Sequence, residues 1–440
     1  MSKTELSLGW QEKALGSLVS FQKGRKTNTS KILLKGYARY LGASGLSGKD
    51  DGFADKAGAV LAESTDILML WDGERSGLVG CMQRGVVAST VSKLTPTDEI
   101  DSAFLYYKLV SLFDWIQARR TGTGVPHVPK DLGKILYISY PTNKNVQKNI
   151  VRILSTIDNQ IDATQALINK FTAIKQGMMT DLLSRGIDPE TKALRPTFKD
   201  APELYHKSPL GMLPKGWNVI EIENLLADIS SPMRSGPFGS ALLKQELVDE
   251  GIPLLGIDNI FAERFKANFK RFVTESKFTE LSRYAVREGD VVITIMGTVG
   301  RSCVIPKSIG RALSSKHLWT MTFNKELVVP ELVCWQLNYS SWAESWFRRE
   351  SQGGVMDAIQ SQTLKKLKLI VPTPTEQIAI YERYETLKNH IEINQISLEK
   401  LKAQKCGLMQ DLLTGKVTVP AQTTNTKKTP VGELNLSCQQ

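Results

Sequence analysis

Ile150–Leu183 reads IVRILSTIDNQIDATQALINKFTAIKQGMMTDLL, and 230 residues later Ile380–Leu413 reads IYERYETLKNHIEINQISLEKLKAQKCGLMQDLL. Aligned without a gap, 13 of the 34 positions are identical, among them Lys175/Lys405, Gly177/Gly407, Met179/Met409 and the closing Asp-Leu-Leu. The apolar positions of the first copy are Ile150, Leu154, Ile157, Ile161, Ile168, Phe171, Met178 and Leu182. Those of the second are Ile380, Tyr384, Leu387, Ile391, Leu398, Leu401, Leu408 and Leu412. With Thr164/Asn394 and Lys175/Lys405 in the gaps, the spacing alternates four and three, the 3.5-residue repeat of a coiled-coil seam. Gly186 and Gly415 stop the two helices. Each is expected to run for about 39 residues, roughly 58 Å at 1.5 Å per residue. Neither is expected to stand alone, and antiparallel pairing would place two globular parts at opposite ends about a pseudo-dyad.

A repeat this long is a duplicated large unit and not a solenoid. Such a chain suits a two-fold repeated target, either a partner oligomer or double-stranded DNA. The segments before each helix also match, more weakly. Gly9-Trp10 recurs as Gly216-Trp217, and the strand-and-turn Asp66–Gly73 recurs as Asp290–Gly297. An aromatic helix from Ala103 recurs from Glu331, each ending in a polar glycine turn, TGTG at 121–124 and SQGG at 351–354. Short strands mixed with a few helices predict two α+β domains. The five prolines between 189 and 214 predict an extended linker, and the last twenty residues a disordered tail.

At 440 residues the chain exceeds one ordinary core. Its formal charge of +11 is compatible with a polyanion partner. Five scattered cysteines with no C-x-x-C pair argue against a disulfide framework or a zinc site and fit a reducing compartment better. The first ten residues lack a signal-peptide core and no run is long enough to span a bilayer, so a cytoplasmic protein is expected. The best approximation to a phosphate loop, Ala43–Asp50, has Ala for its first glycine and Asp in the magnesium-binding position. The four histidines have neither metal nor triad spacing. No catalytic constellation assembles; the pattern is that of a recogniser.

Leu408-Met-Gln-Asp-Leu-Leu-Thr-Gly-Lys-Val417, the helix entrance Ile370–Gln377, the stretch Ser208–Trp217 and the turn Gly297-Thr-Val-Gly300 closely resemble type I restriction-modification specificity subunits. The first copy departs at its entrance, Tyr140–Gln147, which lacks the Glu, and at its turn, Trp71–Gly77. The resemblance implies target-recognition domains at 1–145 and 214–371, spacer helices at 146–186 and 372–419, a linker at 187–213 and a tail at 420–440. It implies an α+β chain of two similar DNA-recognition domains separated by two long helices packed as an antiparallel coiled coil. Such a subunit is non-catalytic and carries no cofactor of its own. It docks two modification subunits, which use S-adenosylmethionine to methylate adenine, and two motor-nuclease subunits, which use ATP and magnesium. The rival reading is a coiled-coil scaffold that presents two protein-binding modules and never meets DNA.

Base reading needs paired donors on a phosphate-anchored scaffold. In the first domain the candidates are Lys23, Arg25, Lys26, Asn28, Arg75, Arg84, Arg119, Arg120 and Thr123. In the second they are Arg234, Ser235, Lys244, Arg264, Arg301, Ser315, Lys316, Arg348, Arg349 and Gln352. The plainer reading of any one of them is a solvated surface group, but most flank glycine turns. Gly177, Met179, Gly407 and Met409 are the candidates for partner docking, because their repetition exceeds what a coiled coil needs. The aromatic residues of the two short helices are expected in the core.

Overall fold

The computed structural model describes residues 7–122, 124–350 and 359–421. Two compact units result, one drawn from 1–170 with 392–440, the other from 171–391. Each pools a globular part, the start of one long helix and the end of the other.

The long helices are Lys144–Ser184 and Pro374–Leu412, of 41 and 39 residues. They end before the expected 186 and 419, because Gly186 and Gly415 turn left-handed, at φ +63° and +76°. A Cβ on Gly186 would also lie 2.4 Å from Trp217, and one on Gly415 2.7 Å from Trp10. Each helix end thus closes onto the tryptophan of a Gly-Trp pair, and only glycine fits both the turn and the contact.

None of the seam positions is exposed. Ile150, Leu154, Ile157, Ile168, Leu182, Ile380, Tyr384, Leu398 and Leu412 are buried. Ile161, Phe171, Leu387, Ile391 and Leu401 are partly buried. In the first unit Ile150 and Leu154 share a core with Met409, Leu412 and Leu413. In the second, Met179, Leu182 and Leu183 join Ile380 and Tyr384, and Phe171 stacks on His390 at 5.3 Å.

Each globular part is built on a four-stranded antiparallel sheet. The first uses Val19–Lys23, Ile67–Leu70, Val79–Cys81 and Val91–Pro96; the second uses Met233–Arg234, Val291–Thr294, Ser302–Val304 and Leu318–Met321. In both, the spatial order is first, fourth, second, third along the chain. The second strands, Ile-Leu-Met-Leu and Val-Val-Ile-Thr, are buried throughout, as continuous apolar runs require. A helix packs on the third strand in each unit, Ser102–Ser111 in one and Pro330–Tyr339 in the other. Outside this shared frame the units differ. The first adds a five-stranded sheet over residues 29–87, whereas the second carries two-stranded ladders such as Ile260–Phe261 with Arg264–Phe265.

Part of the expected linker is extended strand that folds back on itself. Tyr205–Ser208 pairs with Gly211–Pro214, and Tyr205 and Leu213 are buried. Pro209 falls in the turn and Pro214 at a strand end, where no ladder N–H is lost. The expected tail lies outside the described residues beyond 421. Among the described residues, no helix is long and apolar enough to cross a membrane.

Candidate nucleic-acid interface

Strand register places several of the candidate residues at one end of each sheet. Lys23 lies opposite Ser92 and Leu70 opposite Val91. In the second unit Arg234 lies opposite Thr320 and Thr294 opposite Leu318. Beyond that end the first unit carries Gly24 and the turn 72–77; the second carries Gly236, the turn 295–300 and Ser314–His317. A Cβ at Gly24 would sit 2.1 Å from the Ala88 carbonyl, and one at Gly236 2.2 Å from that of Ser314. Both glycines therefore admit a loop crossing that no other residue would.

In the first unit Lys23 Nζ meets Asp72 at 2.8 Å and is half exposed, and Arg25, Lys26 and Asn28 follow it as exposed residues. Arg75 is exposed on the turn, and Arg120 donates to the Glu74 carbonyl at 2.5 Å, which brings the end of the aromatic segment to the same place. Arg119 lies over the Trp115 ring at 3.9 Å. Arg84 instead pairs with Glu63, at 3.4 Å. Thr123 lies outside the described residues.

In the second unit Arg301 and Lys316 are exposed at the ends of the two strands that flank Val291–Thr294, tied to it by Thr294 N–H to the Arg301 carbonyl at 2.9 Å and Ile295 N–H to the His317 carbonyl at 3.1 Å. Burial, then the charges of Lys316 and Arg271, hold the His317 imidazole below its usual pKa. Arg264 is exposed over Phe261 at 5.2 Å, and Lys244 is exposed in a short turn. Arg348 pairs with Glu344 at 2.8 Å on an exposed helix face beside Arg349. Gln352 lies outside the described residues.

Five candidates need correction. Arg234 is only 5% exposed; its guanidinium pairs with Asp290 and donates to Thr322 Oγ1 and the Ala285 carbonyl. It is an interior strut, because an ion pair inside the domain has used its donors. Ser235 and Ser315 are 6% and 8% exposed, closed in by the Gly236 crossing. Met179 and Met409 are packed in the cores of their own units. Their repetition reflects duplicated packing, whereas Gly177 and Gly407 are exposed with open space around them. Among the aromatics, Tyr107 and Trp335 are core residues, while Tyr339 is half exposed.

Sequence reasoning missed several buried polar ties. Gln147 and Gln377, repeated at the two helix starts, are buried and bonded to backbone. Their identity across copies was a usable signal. Glu263 had none: its partners lie 76 to 121 residues away.

The type I restriction modification DNA specificity domain family matches residues 7–173 and again 214–403. The chain belongs to this family. The Type I restriction enzyme MjaVIII specificity subunit of Methanocaldococcus jannaschii is 26% identical over 425 residues, covering 93% of each chain. The Type I restriction enzyme EcoBI specificity subunit of Escherichia coli is 21% identical over 353 residues, covering 79% of this chain and 72% of that one. In fold, the chain is similar to a solved type I restriction-modification S subunit from M. genitalium. The TM-score is 0.61 at 18% identity, over 94% of this chain and 98% of the other. The match to the specificity family in both halves coincides with the two repeated sheets.

Proposed function

We propose that this chain is the sequence-recognition subunit of a type I restriction-modification complex, without catalytic activity of its own. Each globular part reads one half of a bipartite double-stranded DNA target through its basic sheet end. Lys23, Arg25, Lys26, Asn28, Arg75 and Arg120 serve in the first, and Arg264, Arg301 and Lys316 in the second. The two long helices pack as an antiparallel coiled coil about a pseudo-two-fold axis and set the gap. Half-sites one helical turn apart, about 34–36 Å, lie within reach of domains at the ends of such a rod. Exposed helix positions, including Gly177 and Gly407, dock two modification subunits, and two motor-nuclease subunits complete the restriction form. S-adenosylmethionine, ATP and magnesium belong to those partners.

The observation that carries this reading is the specificity-family match repeated in each half. The scaffold alternative offers no reason for basic residues at the same end of both sheets. The test is to co-express the chain with a modification subunit encoded beside it and map N6-methyladenine across the host genome. One bipartite motif methylated on both strands is the expected result. An assembled complex that methylates no such motif would return the scaffold reading to the front.

A further inference from the structure

Glu263 stands at the tip of the hairpin Ile260–Phe265 with φ +57°, a left-handed backbone that a glutamate keeps only when its surroundings hold it there. Its side chain is 10% exposed. The carboxylate accepts from Lys175 Nζ at 2.6 Å, from the Tyr339 hydroxyl at 2.7 Å, and from the Tyr384 hydroxyl. Those three donors come from the first long helix, the globular part's own helix and the second long helix. The Glu263 N–H donates to the Ser302 carbonyl at 2.9 Å, one residue beyond Arg301, and Arg264 is its immediate neighbour. Asn338, beside Tyr339, accepts from Ser302 N–H at 3.1 Å.

We infer that Glu263 is the positioning residue that holds the second recognition surface, Arg264 and Arg301, in register with both long helices, and so fixes where the second half-site must lie. The inference rests on the DNA-reading function proposed above. A carboxylate held by three donors from three elements is fixed in position as well as in orientation, and charge-assisted bonds at low exposure are stiff. The left-handed backbone belongs to the tight turn of this hairpin, and its N–H ties the turn to Ser302 next to Arg301, so the carboxylate and the recognition residues move as one piece. The first unit solves the equivalent position differently. There Lys405, the repeat of Lys175, meets Asp158 of the other long helix at 2.6 Å, and Tyr107 donates to the same carboxylate at 2.7 Å. Among the described residues, the groups that meet Asp158 come from the second long helix and the aromatic helix.

The test uses the full chain co-expressed with its modification subunit, as wild type, Glu263→Ala, Glu263→Gln and the exposed control Glu280→Ala. Two readouts are taken: hydrogen exchange over 257–265 and 294–302, and methylation of a target library whose gap varies by one base pair each way. In Glu263→Ala, exchange in both segments should rise about tenfold. Off-gap methylation should climb from about a hundredth to about a tenth of the preferred rate. Glu263→Gln should fall between, and Glu280→Ala should match wild type. Unchanged exchange, or faster exchange with an unchanged gap preference, overturns the inference. If Glu263→Ala does not fold, Tyr339→Phe must broaden the gap, and a sharp gap there also overturns it. The exchange readout needs no DNA. A wild type that methylates no bipartite motif therefore counts against the functional reading and not against the tether.

Discussion

The two long helices begin with the same glutamine and differ in the residue just before it. Gln147 accepts from Asp101 N–H at 2.7 Å and donates to the Pro141 carbonyl; Gln377 accepts from Val329 N–H at 2.8 Å and donates to the Leu327 and Pro372 carbonyls. Both side chains are spent on the backbone of their own globular part, so one device locks each domain to its helix. The preceding residue is Val146 in one copy and Glu376 in the other. Glu376 is buried and accepts from Arg195, from Trp217 Nε1 at 2.8 Å and from Ile187 N–H at 2.9 Å. The first unit closes the corresponding corner with Ser7 donating to the Gly415 carbonyl at 2.8 Å. At this corner duplication has kept the glutamine that binds backbone, whereas the residue before it has diverged, from Val146 to the charged Glu376.

The aromatic helices differ in the same way at one equivalent position. Counted from Ala103 and Glu331, Lys108 and Gln336 coincide. Gln336 exchanges two hydrogen bonds with Ile370, whereas buried Lys108 donates to Ser139 Oγ at 3.0 Å and to the Leu413 carbonyl at 2.7 Å. Burial pushes the Lys108 ammonium down to about 8.

The largest expected effect comes from exchanging one globular part for that of a relative with another specificity. One half of the methylated motif should change completely and the other stay as it was. A change in both halves would mean that the two parts do not read independently. Next, Glu376→Ala leaves Arg195 unpaired at low exposure and should cost about 3–5 kcal/mol. Val146→Ala should cost about 1 kcal/mol. Denaturant unfolding of both variants checks this, and equal losses would break the contrast between the two corners. Last, Lys108 has a folded pKa below its unfolded one, so between pH 8 and about 10.5 the unfolded chain binds the extra proton. Wild-type stability should therefore rise with pH relative to Lys108→Met, by about 3 kcal/mol at most across that window. Gln336→Met should show no such slope; a flat difference for Lys108 would mean that its ammonium is not desolvated.

Much of this architecture was legible in the chain. Periodicity placed both long helices to within a few residues at their starts, because a seam held over several heptads leaves no competing period. The overestimate at their ends came from glycines whose role is a packing contact with Trp10 and Trp217 as well as a turn. The exposed basic residues beside Gly24 were readable because glycine marks close backbone approach. Arg234 was misread because its sequence neighbours cannot reveal Asp290, 56 residues away. The repeated methionines were misread because core repetition and surface repetition look alike in a string.

The sequence by itself determined the duplication, the mixture of helices and strands, the heptad spacing of apolar residues and the basic excess. Each of these is a local pattern or a sum, and neither depends on where distant residues meet. Tertiary structure alone decided which charges face solvent. It buried Arg234, Glu376 and Lys108 against partners far along the chain and left Arg301 and Lys316 outside. It also brought Glu263 from a hairpin tip to a lysine and two tyrosines, because a carboxylate away from water takes its position from whichever donors the fold supplies.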